Sequence, residues 1–491
     1  MSAQKVPART KWGYAFGGIG KDMCYALVSN FLMYYCTENL GVSALFMGVL
    51  FFFARLWDAI NDPIMGTFVD NTRVKFGKYR FWMVVGTLAN VVAVIFLFNP
   101  YWASHAPRVY IAIFYVIWGM TYTMVDVPYW AFNSNVSDDR KERESVSTLA
   151  RLLTSLGALS TQVLTPIVIV KLGYDAVTGT EHKEKGYFIW AIIVSAVFVV
   201  TMFVASVTIK ERNYVSEKKE KIKLKEAFRV LTKNDQLVIA VIVFILINIA
   251  QNLALGSAIY YFKYVWGDEQ LYSKFVIVLG ASIGIGLLSF PLLSKVLYKR
   301  SGRLGHLMLA LGSPIVGFLL MFISNNYLFN NASTNVRFYI CCGIGLVSLI
   351  GFGSVTILLT LIMSDCVDYG EYIFGKRTEN IVFSMQTFLV KFAGAISFLI
   401  IGVSMHIAGY EGSMFDSNAV AMSVVPDSLK ADLNVLMFIL PPAFLLAGAI
   451  LFATKYKLAK KGKMEEIREQ LQERRAAAEA GEVAESVSAT E

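Results

Sequence analysis

Long apolar runs separated by short charged connections set the architecture of this chain. Runs such as LFMGVLFFFA at 45–54 and VVAVIFLF at 91–98 show no alternation of apolar and polar positions. Membrane barrel strands alternate and are only about 10 residues long, so the pattern excludes a barrel. A helix of about 20 apolar residues crosses the hydrocarbon core, and within lipid it satisfies its own backbone polar groups. Twelve such spans are read at 14–37, 43–69, 80–99, 108–132, 146–171, 187–209, 237–264, 272–297, 304–324, 337–365, 380–409 and 432–455. The expected fold is an all-α membrane protein of twelve transmembrane helices in two six-helix halves. The charged stretch KERNYVSEKKEKIKLKEAFRVLTKND separates spans six and seven. The expected organisation is a first half over 1–209, a middle loop over 210–236, a second half over 237–457 and a tail over 458–491. Within the tail, MEEIREQLQERRAAAEA reads as helix and GEVAESVSATE as disordered.

Composition agrees with this reading. The chain is 56% hydrophobic, above the roughly 45–50% of soluble domains. Of its 45 Lys and Arg residues, most fall in alternate loops and in the two tails, which predicts cytoplasmic termini. The net charge of +9 reflects that bias and implies no nucleic-acid partner. The polar N-terminus MSAQKVPARTK has no h-region, so no cleavable signal peptide is expected. Five scattered cysteines make no disulfide framework, and four dispersed histidines make no zinc pattern. No nucleophile–base arrangement or phosphate loop is visible, so an enzyme is not expected. The glycine-rich stretches GGIG at 17–20 and GIG at 343–345 read as close helix packing.

Four basic residues, Lys21, Arg55, Arg151 and Lys391, fall inside predicted spans, and Asp22, Asp58, Asp62 and Asp126 face them with a formal sum of zero. Each intramembrane charge costs at least about 2.5–3.5 kcal/mol at a helix centre, which marks them as functional. They must line an aqueous cavity or pair with one another. Lys21 and Asp22 have a third option, snorkelling from near a helix end. Asp58, Asn61 and Asp62 sit at i, i+3 and i+4, on one helical face. With Thr123 they offer two carboxylates, an amide oxygen and a hydroxyl, a donor set suited to Na⁺, with Li⁺ or H⁺ as alternatives. A permanent salt bridge from Asp58 to Arg55 is the competing reading. Pro63 frees a backbone carbonyl in the same helix. Trp118, Tyr122, Asp126 and Trp130 recur every four residues. A carboxylate beside an indole suits a sugar, whose apolar face stacks while its hydroxyls donate. Trp118 reads as packing, and Trp130 as the better sugar contact. Arg151 offers a fork of donors to hydroxyls or to Asp22. In the second half, Gln386, Thr387 and Lys391 share one stretch, with Lys391 as a counter-charge to the aspartates.

RLWDAINDPIMG, TRVKFGKYRFW, WGMTYTMVDVPYW, DCVDYGEY and SMQTFLVK resemble the signatures of the glycoside–pentoside–hexuronide:cation symporters of the major facilitator superfamily. The resemblance runs from about Thr10 to Lys457 and is nearest to the melibiose permeases. It implies alternating-access symport of a sugar with Na⁺, Li⁺ or H⁺ in the bacterial inner membrane, without a cofactor. By matching motif, Asp58, Asn61, Asp62 and Thr123 correspond to the family's cation site, with Lys391 close by. Lys21, Asp22, Asp126, Trp130, Arg151 and Thr387 correspond to its sugar site, and Gly77, Tyr79 and Arg80 to the cytoplasmic gate loop. Thr356 stands where melibiose permease has a tryptophan, nine residues before D-x-V-D-Y-G-E, so an aromatic wall is missing. Asp126 disfavours a hexuronate, because glucuronide-transporting relatives carry an uncharged residue there. The implied partners are a sugar, a monovalent cation and membrane lipid, with a monomer as the working form. Alternatives on the same fold are a lysolipid or other amphiphile carrier, a hexuronide carrier, or a sensor that binds solute without moving it.

Overall fold

A computed structural model describes residues 6–103, 106–133, 135–137, 140–209, 211, 233–375, 379–410, 425–460 and 462–474. Most of the middle loop and the GEVAESVSATE terminus lie outside the described residues. Eleven helices among the described residues are long and apolar enough to cross a membrane. The remaining predicted span coincides with α1 (Ala8–Asn39), which its glycines and its Lys21–Asp22 pair make less apolar. Next in order come α2 (Ala44–Asn71), α3 (Lys78–Leu97), α4 (Pro100–Ala103), α5 (Pro107–Phe132), α6 (Arg140–Gly173) and α7 (Lys183–Thr208). Then follow α8 (Asp235–Tyr264), α9 (Leu271–Leu297) and α10 (Gly302–Leu328). The last five are α11 (Thr334–Ser348), α12 (Ile350–Phe374), α13 (Glu379–Ile407), α14 (Asp427–Asn434) and α15 (Leu440–Lys455). Gly302, at φ +63°, breaks what would otherwise be one continuous helix from α9 into α10. A two-stranded hairpin, Tyr174–Asp175 with Thr180–Glu181, and the single-turn α4 were not foreseen. Both are too short to leave a periodic signal.

The described chain forms two compact units. One holds Met1–Lys219 with Leu253–Ile277 and Ala395–Met437; the other holds Glu220–Asn252, Val278–Gly394 and Phe438–Glu491. In the first, α1 packs against α6 and α7 through small residues. A Cβ added at Gly13 would lie 2.0 Å from the Thr208 hydroxyl, and one at Gly17 would lie 2.6 Å from the Ala205 methyl. One at Gly157 of α6 would lie 2.3 Å from the Ile19 carbonyl. The backbones touch because those side chains are missing. GGIG therefore packs as expected. GIG does not: nothing lies within 4 Å of a Cβ at Gly343, and Gly345 meets only ordinary contacts. At the start of α2, a Cβ on Gly48 would come within 2.8 Å of the Phe398 carbonyl of α13. One on Gly402 would come within 2.4 Å of the Ala44 carbonyl.

In the second unit, Asp365 of the DCVDYGEY motif is fully buried between two guanidiniums. Arg303 grips it as a fork, at 2.5 and 2.8 Å, and Arg468 reaches it at 3.0 Å. Arg468 belongs to the tail helix 463–474, which buries Met464, Ile467 and Leu471 and also pairs with Asp368 at 3.2 Å. The helix-prone tail is thus helical in its first part, and residues 475–491 lie outside the described chain. All five cysteines are buried free thiols.

Candidate functional site

Lys21 of α1 is only 2% exposed, so it does not snorkel. Its ammonium lies 2.7 Å from both Asp22 and Asp126 and donates to the Tyr122 hydroxyl at 3.0 Å. The rings of Tyr122, Tyr129 and Trp130 surround it with centroids at 5.3, 5.3 and 5.5 Å. A buried ammonium needs such company: two carboxylates neutralise it, and aromatic faces supply further negative potential. Trp130 Nε1 donates to the same Asp126 oxygen at 3.1 Å, one helical turn away. The Arg151 guanidinium lies 5.2 Å from the Trp130 ring centroid and is exposed. Asp22 and Asp126 keep about a fifth of their side-chain surface open, at 23% and 21%. The cluster therefore presents two partly open carboxylates, an indole and a guanidinium on one surface. Trp118 is elsewhere, as its packing assignment required. It is buried against Tyr25, Tyr115 and Tyr122, and its carbonyl accepts from Asn90 Nδ2 at 3.0 Å.

A second cluster joins α2 to α5. Arg55 pairs with Asp58 at 2.9 Å, so the salt bridge weighed against a cation role is formed. The Arg55 guanidinium also lies over Tyr25 and Trp118, 5.7 and 5.8 Å from their centroids. Thr123 donates to Asp62 at 3.0 Å and to the Gly119 carbonyl at 3.1 Å. One hydroxyl proton serves one acceptor at a time. When it turns to Gly119, the Thr123 oxygen presents lone pairs toward Asp62. A Cβ at Gly119 would stand 3.2 Å from Asp58 Oδ1. Its absence lets Asp58 lie against α5 one turn before Thr123. Asn61 is buried, and its Nδ2 makes no hydrogen bond. A cavity of about 10 Å³ beside Asp58, lined in part by Arg55, Tyr115 and Gly119, is near the lower limit for one water.

Helix α5 belongs to both clusters: Thr123 contacts Asp62, and Asp126, three residues on, contacts Lys21.

The amino-acid sequence over residues 13–460 matches the family described as MFS/sugar transport protein. The chain belongs to that family. Within it, the chain is a glycoside–pentoside–hexuronide:cation symporter relative, of a group of membrane transporters and not of enzymes. It is 28% identical to the isoprimeverose transporter of Lactiplantibacillus pentosus, over 86% of this chain and 85% of that one. It is 26% identical to the raffinose carrier protein of Pediococcus pentosaceus, over 90% of this chain and 68% of that one. Its fold is shared with a bacterial homologue of the lysosomal transporter Spinster, at a TM-score of 0.65 and 12% identity over 92% of this chain and 99% of that one.

In this member of the MFS/sugar transport family the loop between α2 and α3 is built around Gly77, at φ +104°. Glu211 accepts from the Arg80 amide at 2.8 Å and so caps the start of α3, while Arg80 Nε donates to the Ser206 carbonyl at 2.5 Å. Tyr79 is buried beside them. Burial drives the Glu211 carboxyl above its usual range, against the opposing pull of the amides. Gln386, Thr387 and Lys391 lie on α13 in the second unit. Gln386 and Lys391 are half-buried there, and the Thr387 side chain lies outside the described residues. Sequence reading missed Gly119, Tyr25 and Ser29, whose oxygen accepts from Arg55 at 3.4 Å. Gly119 leaves no periodic or charge signal. Tyr25 carries one, being four residues past Lys21 on the same face of α1.

Proposed function

We propose that the protein is a cation-coupled sugar symporter of the bacterial inner membrane, with both termini cytoplasmic. The sugar, a neutral glycoside, is held by Asp22, Asp126, Trp130 and Arg151, with Lys21 orienting both carboxylates. The cation, Na⁺ in preference to Li⁺ or H⁺, is held by Asp58, Asn61, Asp62 and Thr123. The observation that carries this reading is the single turn of α5 that places Thr123 on Asp62 and Asp126 on Lys21. The relatives named as isoprimeverose and raffinose carriers support a glycoside. Cation bound at Asp62 fixes Thr123, and with it the phase of Asp126, so each ligand raises the other's affinity by the same factor. The two partly open carboxylates disfavour a uronic acid by like-charge repulsion. The test is counterflow in proteoliposomes across a panel of neutral glycosides and one hexuronide, with and without Na⁺. Na⁺-stimulated exchange of a neutral glycoside is expected. No exchange with any sugar overturns the reading.

A further inference from the structure

At the end of the first unit remote from the N-terminus, two buried glutamates tie helices from the two sequence halves together. Glu38, in the last turn of α1, forms an ion pair with Lys263 of α8. It also accepts from the Tyr264 hydroxyl at 2.6 and 2.7 Å and from the Tyr410 hydroxyl, beyond α13, at 2.6 Å. Glu269, in the connection between α8 and α9, lies 2.7 Å from the ammonium of Lys183, the first residue of α7. It accepts from the Tyr34 hydroxyl at 2.5 Å. Tyr34 and Glu38 are four residues apart and share a face of α1. Lys263 links the two arrangements, with its ammonium 5.5 Å from the Tyr34 ring centroid. Between them, the Thr37 and Tyr260 hydroxyls hydrogen-bond at 2.9 Å. The Glu38 side chain is 5% exposed.

We propose that Glu38–Lys263–Tyr264–Tyr410 and Glu269–Lys183–Tyr34 together form the latch that closes the non-cytoplasmic mouth of this carrier. This rests on the alternating-access reading. Two anions and two cations cancel, so the closed end is neutral. Admitting solute from that side requires α1 to part from α8, which breaks both carboxylate arrangements together. Three tyrosines pre-orient the carboxylates, so the latch re-forms in one register. Removing one member of a buried pair leaves its partner charged and unpaired, which penalises only the closed state.

The test follows the reactivity of a Thr37→Cys thiol toward a membrane-impermeant maleimide added to intact cells. The full chain is used, with its five native cysteines replaced by serine. In Glu38→Gln the labelling rate is expected to rise about tenfold, equivalent to about 1.4 kcal/mol taken from the closed state. Tyr410→Phe, which removes one hydroxyl and no charge, gives a smaller rise and serves where Glu38→Gln does not fold. The exchange Glu38→Lys with Lys263→Glu returns the rate toward that of the parent. Equal labelling in all of these, including none at all, overturns the latch. Counterflow by the wild-type protein is scored separately, so loss of the transport reading is not mistaken for loss of the latch.

Discussion

Replacing Lys21 with methionine tests the electrostatics of the candidate sugar site. The side chains are similar in length, so packing is largely kept while the charge is removed. Asp22 and Asp126, each 2.7 Å from the lost ammonium, are left as two carboxylates without their shared cation. Breaking a buried pair from one side costs about 3–5 kcal/mol, because the remaining charge stays poorly solvated. The partial exposure of both carboxylates puts the expected cost at the lower end, about 3 kcal/mol. That is still a large share of a stability of about 5–15 kcal/mol. Lys21→Met/Asp126→Asn removes one of the two stranded charges and should recover part of the loss. The expected coupling between the sites is about 1.5–3 kcal/mol, the range of hydrogen bonds to charged groups. Melting of the purified protein in detergent, across wild type, both single variants and the double variant, completes the cycle. Lys21→Met is expected to melt lowest, and the double variant above it. If the two single losses simply add, the ammonium is not shared with Asp126 in solution and the site geometry is wrong.

Four further outcomes are expected. Asp62→Cys should abolish Na⁺ stimulation of sugar binding, measured by titration with and without Na⁺; undiminished stimulation removes Asp62 from the cation site. Asp22→Cys should lose sugar binding yet keep cation binding, read by calorimetry with each ligand alone. Gly77→Ala should slow transport and lower the melting temperature, because φ +104° strains any side chain and a Cβ would lie 2.5 Å from the Glu211 carboxylate. Glu269 should make stability acid-sensitive. Burial disfavours its charge most, but the Lys183 ammonium, with help from Tyr34 and Lys263, outweighs this and holds the carboxyl below its usual value. A lowered folded value means that the stabilisation is present above the unfolded carboxyl value of about 4.3 and fades as pH falls through the folded one. Melting of wild type against Glu269→Gln should therefore differ at neutral pH and converge in acid.

The helical spans were legible because lipid leaves the backbone few choices, so length and apolarity decide them. The break at Gly302 was legible too, because the basic stretch YKRSGR interrupts the apolar run, although the positive φ that makes the turn was not. Within the site, Asp58, Asn61 and Asp62 could be placed together because i, i+3 and i+4 fix a face without tertiary information. The partner of Lys21 could not. Asp126 is 105 residues away, and only the packing of α1 beside α5 decides between pairing and snorkelling. The same limit hid Glu38 and Glu269. Lys183 and Lys263 stand at helix ends, where a basic residue raises no question until the fold brings carboxylates to it. GIG at 343–345 failed for the opposite reason: glycine pairs suggest close approach, but only a neighbouring helix makes one.

The backbone contact between α2 and α13 at Gly48 and Gly402 has an evolutionary corollary. Neither position has room for even a methyl group while the two helices touch, so drift there is tolerated only as a matched change in both helices or in a descendant that no longer brings them together. Farther along α2 the constraint is chemical, set by Arg55, Asp58 and Asp62 and their partners. At this crossing it is purely one of space, a spacing that every descendant keeping the contact inherits.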